Sequence, residues 1–62
     1  MAKSSREVIK LLESNGWVFT HARGSHHYFK KDGHTRPITV PHPEKDIPIG
    51  TYHAILKQAG LE

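Results

Sequence analysis

Residues 17–40 decide the fold, and they read WVFTHARGSHHYFKKDGHTRPITV. This stretch is rich in aromatic and β-branched residues and is interrupted twice by turn-forming residues, which is typical of short strands joined by hairpins. It predicts three strands, at Trp17–Ala22, His26–Lys31 and Ile38–Val40. In the first turn, Arg23-Gly24-Ser25, only Gly24 adopts a positive φ without strain. Asp32-Gly33 is a strong hairpin signal between the second and third strands.

Two helical patterns flank the predicted strands. Ser4 and Glu7 form a capping box ahead of apolar residues at helical spacing, and they predict a helix from about Ser5 to Asn15. A second helical period follows Pro48, which suits a first helical turn, and stops at Gly60. The order α-β-β-β-α predicts a small α+β domain in which a three-stranded antiparallel sheet carries both helices on one face. The other face is left open to solvent or to a ligand.

Length and composition exclude several classes of protein. The chain of 62 residues is predicted to be one domain, 1–62, that buries roughly 60% of its unfolded surface. The absence of cysteine excludes a disulfide framework and a zinc–thiolate site. No apolar run approaches the roughly 18 residues of a membrane span, and the first ten residues lack the apolar centre of a signal peptide. We therefore expect a cytoplasmic protein without a membrane partner. The net charge of +3 favours nucleic acid as a partner over a bland solvated surface.

Six histidines suggest metal binding, but the pattern predicts no metal site. There is no His-Glu-x-x-His motif and no cysteine ligand. Adjacent strand residues such as His26 and His27 point to opposite faces of a sheet and are a poor ligand pair. Phe29 is expected in the core, which places His27 at the core margin and puts His26 on the open face with Tyr28 and Lys30. The spacing of the remaining four histidines does not distinguish a functional role from an ordinary place on the surface.

A histidine on an open, basic face suits cleavage of RNA. RNA carries its own nucleophile, the 2′-hydroxyl beside each phosphate, and imidazole exchanges protons near neutral pH, which typically contributes about 10²–10⁴-fold to a rate. Lysine and arginine can hold the phosphate, so neither a metal nor a cofactor is required. His26 is the candidate catalytic residue, although an idle surface histidine is an equal alternative on the residues alone. The candidate RNA-binding residues are Arg23, Gly24, Tyr28, Lys30 and Lys31. The alternative for the three cations is an ordinary solvated surface, and the alternative for Tyr28 is packing against a neighbouring strand.

The chain resembles the HicA family of toxin mRNA interferases along nearly its whole length. The matching segments are residues 24–29 (GSHHYF), 40–43 (VPHP), 46–51 (DIPIGT), the opening 4–12, Gly16-Trp17 and the ending 55–61. The resemblance implies a fold similar to double-stranded RNA-binding domains and ribosome-independent cleavage of mRNA. It also implies neutralisation by a HicB-type antitoxin. The functional histidine of the family, the first after Gly-Ser, corresponds to His26, and Gly24 matches the glycine before it.

These observations predict an endoribonuclease toxin in which His26 is the general acid or base for attack of a 2′-hydroxyl on the adjacent phosphate. Its partners would be mRNA and a HicB-type antitoxin that covers the active face over a standard interface of about 1,600 Å². One alternative is a non-catalytic module that binds double-stranded RNA. Another is an interaction module whose open face only docks a partner protein. The general-acid partner of His26 and any assistance from His27 stay open.

Overall fold

The computed structural model describes residues 3–62, which form two helices and one antiparallel sheet in the order α-β-β-β-α. The elements are α1 (Ser5–Ser14), β1 (Val18–Arg23), β2 (His26–Lys30), β3 (Ile38–Pro41) and α2 (Ile49–Gln58). The strands lie in the order β1-β2-β3, so β2 is central. The predicted fold class is confirmed, and each predicted element is present within about one residue of its predicted bounds. Within residues 3–62, neither helix is long and apolar enough to cross a membrane.

Alternation along β2 sorts its side chains between two faces. Phe29 pairs with Ile38 on β3, and both side chains are buried beneath the helices. Tyr28, one position earlier, pairs with the exposed Thr39 and points to the other side of the sheet. The helices therefore cover only the face that carries Phe29, as the element order predicted.

The core lies between the helices and the strands β2 and β3. Its buried members are Val8, Leu12, Trp17, Phe29, Ile38, Val40, Ile47, Ile55 and Ala59. Trp17, directly before β1, is only 2% exposed. Every residue of β1 is exposed, because α1 and α2 both pack against β3, at the opposite edge of the sheet. The edge strand β1 is thus accessible on both of its faces.

The proline-rich connection between β3 and α2 is ordered by hydrogen bonds to the start of the chain. Glu44 forms two hydrogen bonds with Ser5: its N–H donates to Ser5 Oγ at 2.9 Å, and its carbonyl accepts the Ser5 N–H at 2.8 Å. Ile47 is fully buried, and its N–H donates to the carbonyl of Lys3 at 2.8 Å. These bonds hold the connection against the start of α1.

The connection between β2 and β3 is longer than a tight Asp-Gly hairpin. Residues 32 and 33 form a turn, but β3 does not begin until Ile38. Pro37, directly before β3, has no N–H for the ladder and disfavours helical backbone at Arg36. The intervening residues 31–37 form a loop, and the turn signalled by Asp32-Gly33 lies within it, closed by the N–H of His34, which donates to the carbonyl of Lys31 at 3.1 Å.

The capping box at the start of α1 makes this helix sensitive to acid. Ser4 Oγ accepts the Glu7 N–H at 3.2 Å, and the Ser4 hydroxyl and N–H donate to Glu7 Oε1 at 3.1 and 3.4 Å. Hydrogen bonds from Ser4, with a smaller effect of the Lys3 ammonium, hold the pKa of Glu7 below its ordinary value. A carboxyl whose pKa is lowered on folding adds stability above its unfolded pKa, and that stability is lost as the pH falls through the lowered pKa.

We expect Ser4→Ala to lower the free energy of unfolding by about 1 kcal/mol at neutral pH, because it removes the cap. The difference from the wild type should shrink in acid, where the protonated Glu7 no longer stabilises the wild-type cap. Urea unfolding at a series of pH values measures both effects. Ser14→Ala, at the other end of the same helix, is the control, and its effect should stay constant over the acid range. A Ser4→Ala deficit that grew in acid would contradict this account of Glu7.

Candidate active site

The face of the sheet opposite the helices carries a cluster of polar and aromatic side chains, which we call the open face. Its members in β1, β2 and β3 are Val18, His21, Arg23, His26, Tyr28, Lys30, Thr39 and Pro41. They share one face because directly paired residues in an antiparallel sheet lie on the same side and alternate residues along a strand return to it. Tyr28 and Pro41 are half-buried, and all the others are exposed.

His26 begins the central strand and lies on the open face, where strand alternation predicted it. It pairs with Arg23 on β1 and with Pro41 on β3, and its side chain is exposed. In an antiparallel pair the Cα atoms of facing residues are about 4.5–5.5 Å apart, so the guanidinium of Arg23 can reach any anion held at the imidazole. Arg23 and Lys30 form no ion pair within residues 3–62. Both cations are therefore available to bind an anion.

The turn before His26 fixes where β2 begins. Gly24 has φ +59° at the first central position of the two-residue connection, as a type II′ hairpin turn requires. The carbonyl of Ser25 accepts the backbone N–H of His42 at 2.7 Å, which ties this turn to the end of β3. These contacts fix the backbone before His26, and strand pairing fixes it afterwards. The direction in which the His26 side chain leaves the sheet is therefore defined.

His27 lies on the opposite face from His26. It pairs with the buried Val40, is half-buried itself, and packs against the rings of Phe19 and His42 at centroid distances of 5.5 and 4.8 Å. Its predicted place at the core margin agrees with this environment. His42 Nδ1 is in turn 2.7 Å from the buried hydroxyl of Ser5, so these contacts connect His27 to the start of α1. The two adjacent histidines have separate surroundings.

The five predicted RNA-binding residues do not all lie together. Arg23, Gly24 and Tyr28 surround His26 at one end of the open face. Lys30 is on the same face but four residues along β2, roughly 13 Å away at about 3.3 Å per residue. Lys31 lies beyond the strand, and the stem of its side chain packs beside Gly16, where an added Cβ would be 3.3 Å from its Cε. Lys31 is therefore not part of the cluster around His26.

His21 belongs to the open face, although its spacing gave no reason to single it out. The pairing of β1 with β2 is irregular between Phe19 and His21, so that Thr20 is an extra, bulged residue. Without the bulge, His21 would share the side of Phe19, which faces Phe29. With it, His21 pairs with Tyr28, and the two rings stack at 4.5 Å with an angle of 12°. No feature of the sequence marks the position of this bulge.

The described part of the chain, residues 3–62, contains no group of three or more histidine, aspartate or glutamate side chains arranged to hold a metal ion. The chemistry available on the open face is proton transfer by imidazole together with anion binding by Arg23 and Lys30. Aromatic contact is supplied by Tyr28. These are the capabilities that a reaction at a phosphodiester uses.

Comparisons with known proteins agree with this fold over almost the whole chain. The family described as HicA toxin of bacterial toxin-antitoxin matches residues 5–61. A solved structure titled "Toxin-Antitoxin complex from Streptococcus pneumoniae" contains a chain with 42% identity and a TM-score of 0.82; the match covers 94% of this chain and 97% of that one. A second structure, titled "HicA3 and HicB3 toxin-antitoxin complex", matches with 36% identity and a TM-score of 0.86, over 95% and 96% of the two chains. No curated protein sequence gives a significant match.

These matches define the class of the protein as a toxin of bacterial toxin–antitoxin pairs. Within that class, the chain belongs to the HicA toxin family. The family resemblance predicted from residues 24–29, 40–43 and 46–51 is thus confirmed.

Proposed function

We propose that this protein is an endoribonuclease that cleaves mRNA, with His26 transferring a proton at the scissile phosphate and with no metal or cofactor. The observation that carries the proposal is the exposure of His26 on the face that the helices leave free, directly across from Arg23. Membership of a toxin family supports a growth-arresting activity. Imidazole and guanidinium at one site favour a reaction at a phosphate group over other chemistry.

The reaction uses the 2′-hydroxyl of the RNA as nucleophile. Its oxygen forms a bond to the adjacent phosphorus while its proton passes to a base, and the bond from phosphorus to the 5′-oxygen breaks as that oxygen takes up a proton. The products are a 2′,3′-cyclic phosphate and a 5′-hydroxyl. Arg23 stabilises the negative charge that develops on the phosphoryl oxygens, and Lys30 binds another phosphate of the same RNA molecule.

The proposed protein partner is a HicB-type antitoxin that covers the open face. One similar structure is titled as a complex of HicA3 with HicB3. A standard interface takes about 800 Å² from each partner, nearly a fifth of the 4373 Å² that this chain exposes. A patch of that size includes His26 and its neighbours, so binding there would block access of RNA.

We expect the purified protein to cleave RNA to 5′-hydroxyl and 2′,3′-cyclic phosphate ends, and to do so equally in the presence of EDTA. Mass spectrometry of the fragments identifies the ends. As a matched substrate, the same oligonucleotide with a single 2′-deoxy substitution at the cleavage site should stay intact, because it lacks the nucleophile. Products with 3′-hydroxyl ends, or cleavage of the 2′-deoxy substrate, would contradict the proposed reaction. Tight binding of RNA that stays full-length would instead favour a non-catalytic RNA-binding module.

A further inference from the structure

Two hydrogen bonds on the open face indicate which ring nitrogen of His21 carries the hydrogen in the neutral ring. Thr20 Oγ1 lies 3.2 Å from the carbonyl oxygen of Tyr28 and 2.9 Å from His21 Nδ1. The carbonyl only accepts, so the single hydroxyl hydrogen of Thr20 goes to it, and the hydroxyl oxygen is left to accept from Nδ1–H. We assign His21 on this basis as the Nδ1–H tautomer. Its other nitrogen, Nε2, then carries a free lone pair in the neutral ring.

The same contacts hold the His21 ring in place. One face of the ring stacks on Tyr28 at 4.5 Å, and Nδ1 is tied to the bulged residue Thr20. A side chain that is fixed by packing and by a hydrogen bond loses little freedom when it acts on a substrate. His21 is therefore an exposed imidazole with a set orientation and one basic nitrogen, which are the properties of a general base.

His21 and His26 are diagonal neighbours on this face. His21 pairs with Tyr28, and His26 is two residues before Tyr28 on the same strand. Diagonal Cα atoms in an antiparallel pair are roughly 7–8 Å apart. Two imidazoles that extend from one face at this Cα separation can each reach an oxygen of the same phosphate at a hydrogen-bond distance of about 2.8 Å. Arg23, paired with His26, lies beside the same space.

We propose that His21 is a second catalytic residue, the general base that accepts the 2′-hydroxyl proton, and that His26 is the general acid that protonates the leaving 5′-oxygen. This assignment rests on the proposed ribonuclease function. Attack and departure are in line, on opposite sides of the phosphorus, so two groups on either side of it serve the two proton transfers better than one. His21 Nε2 takes the proton from O2′ as the O2′–P bond forms. His26 gives its proton to O5′ as the P–O5′ bond breaks, which leaves His21 protonated and His26 neutral.

The test compares His21→Phe with His53→Phe in the purified protein. His21→Phe keeps a ring to stack on Tyr28 but removes the basic nitrogen. His53 is an exposed histidine on α2, away from the open face, and controls for the loss of one imidazole. We expect His21→Phe to slow cleavage by about 10²-fold at neutral pH. The fall in rate on the acidic side of the pH–rate profile, which protonation of a general base causes, should be weaker in this variant. His53→Phe should cleave at the wild-type rate.

A substrate with sulfur in place of the bridging 5′-oxygen separates the two roles, because a thiolate leaves without being protonated. On this substrate His26→Ala should recover most of its lost rate, whereas His21→Phe should stay slow. Circular dichroism establishes that each variant is folded. Folded His21→Phe that cleaves within twofold of the wild type, or recovery by His21→Phe in place of His26→Ala, would overturn the assignment. Both results leave the ribonuclease proposal standing, because that proposal fails only if the wild type does not form cyclic phosphate ends or if His26 is dispensable.

Discussion

Replacing His26 with alanine is expected to reduce RNA cleavage by about 10²–10⁴-fold, the usual contribution of a positioned proton-transfer group. The same substitution should abolish growth arrest when the protein is expressed in bacteria. The free energy of unfolding should change by less than about 0.5 kcal/mol, because the side chain is exposed. Cleavage rates of a labelled oligonucleotide and urea unfolding curves measure these effects separately. A loss of activity without a loss of stability identifies a functional side chain.

The neighbouring histidine provides the matched control. His27→Ala removes the same chemical group one residue away, but from the opposite face, where it packs against Phe19 and His42. We expect it to lower stability more than His26→Ala does and to slow cleavage by less than about tenfold. If His27→Ala abolished cleavage and His26→Ala did not, the catalytic site would lie on the helix side of the sheet, and the assignment of His26 would be wrong.

The parts of the fold that could be predicted from the sequence are those set by local signals. The capping box at Ser4 and Glu7 fixes the start of α1, and the turn at Gly24 fixes where β2 begins. From that start, alternation counted back from the buried Phe29 places His26 outside and His27 inside without any knowledge of the rest of the chain. The position of the principal candidate residue therefore needed only one turn and one core residue.

The rest of the site depends on pairing between strands, which local sequence does not specify. The bulge at Thr20 moves His21 from the face of Phe19 to the face of Tyr28. A one-residue change of register exchanges the faces of every following side chain, so simple alternation along β1 would have excluded His21 from the open face. Lys31 is the opposite case. The sequence suggested that it contacts RNA, but β2 ends before it and its side chain packs beside Gly16.

The core offers a second matched comparison, between two phenylalanines that face each other across β1 and β2. Phe19 and Phe29 are directly paired, with ring centroids 5.8 Å apart. Phe29 is 1% exposed because the helices cover it, whereas Phe19 is 45% exposed at the uncovered edge strand. The two residues thus share residue type, strand pairing and sheet face, and they differ mainly in burial.

We expect Phe29→Ala to lower the free energy of unfolding by about 3–5 kcal/mol, since it removes buried apolar surface and leaves a cavity. Phe19→Ala should cost about 1 kcal/mol, because much of its surface is already in water. A core of this size rarely supplies more than about 3–5 kcal/mol in total, so Phe29→Ala should be largely unfolded at 37 °C and Phe19→Ala folded. Urea unfolding, with Phe29→Leu as a milder variant that stays measurable, tests the ranking. Equal losses at the two positions would mean that the helices do not cover β2 in preference to β1, and the open face would then lose the rigid support on which the positions of His21 and His26 depend.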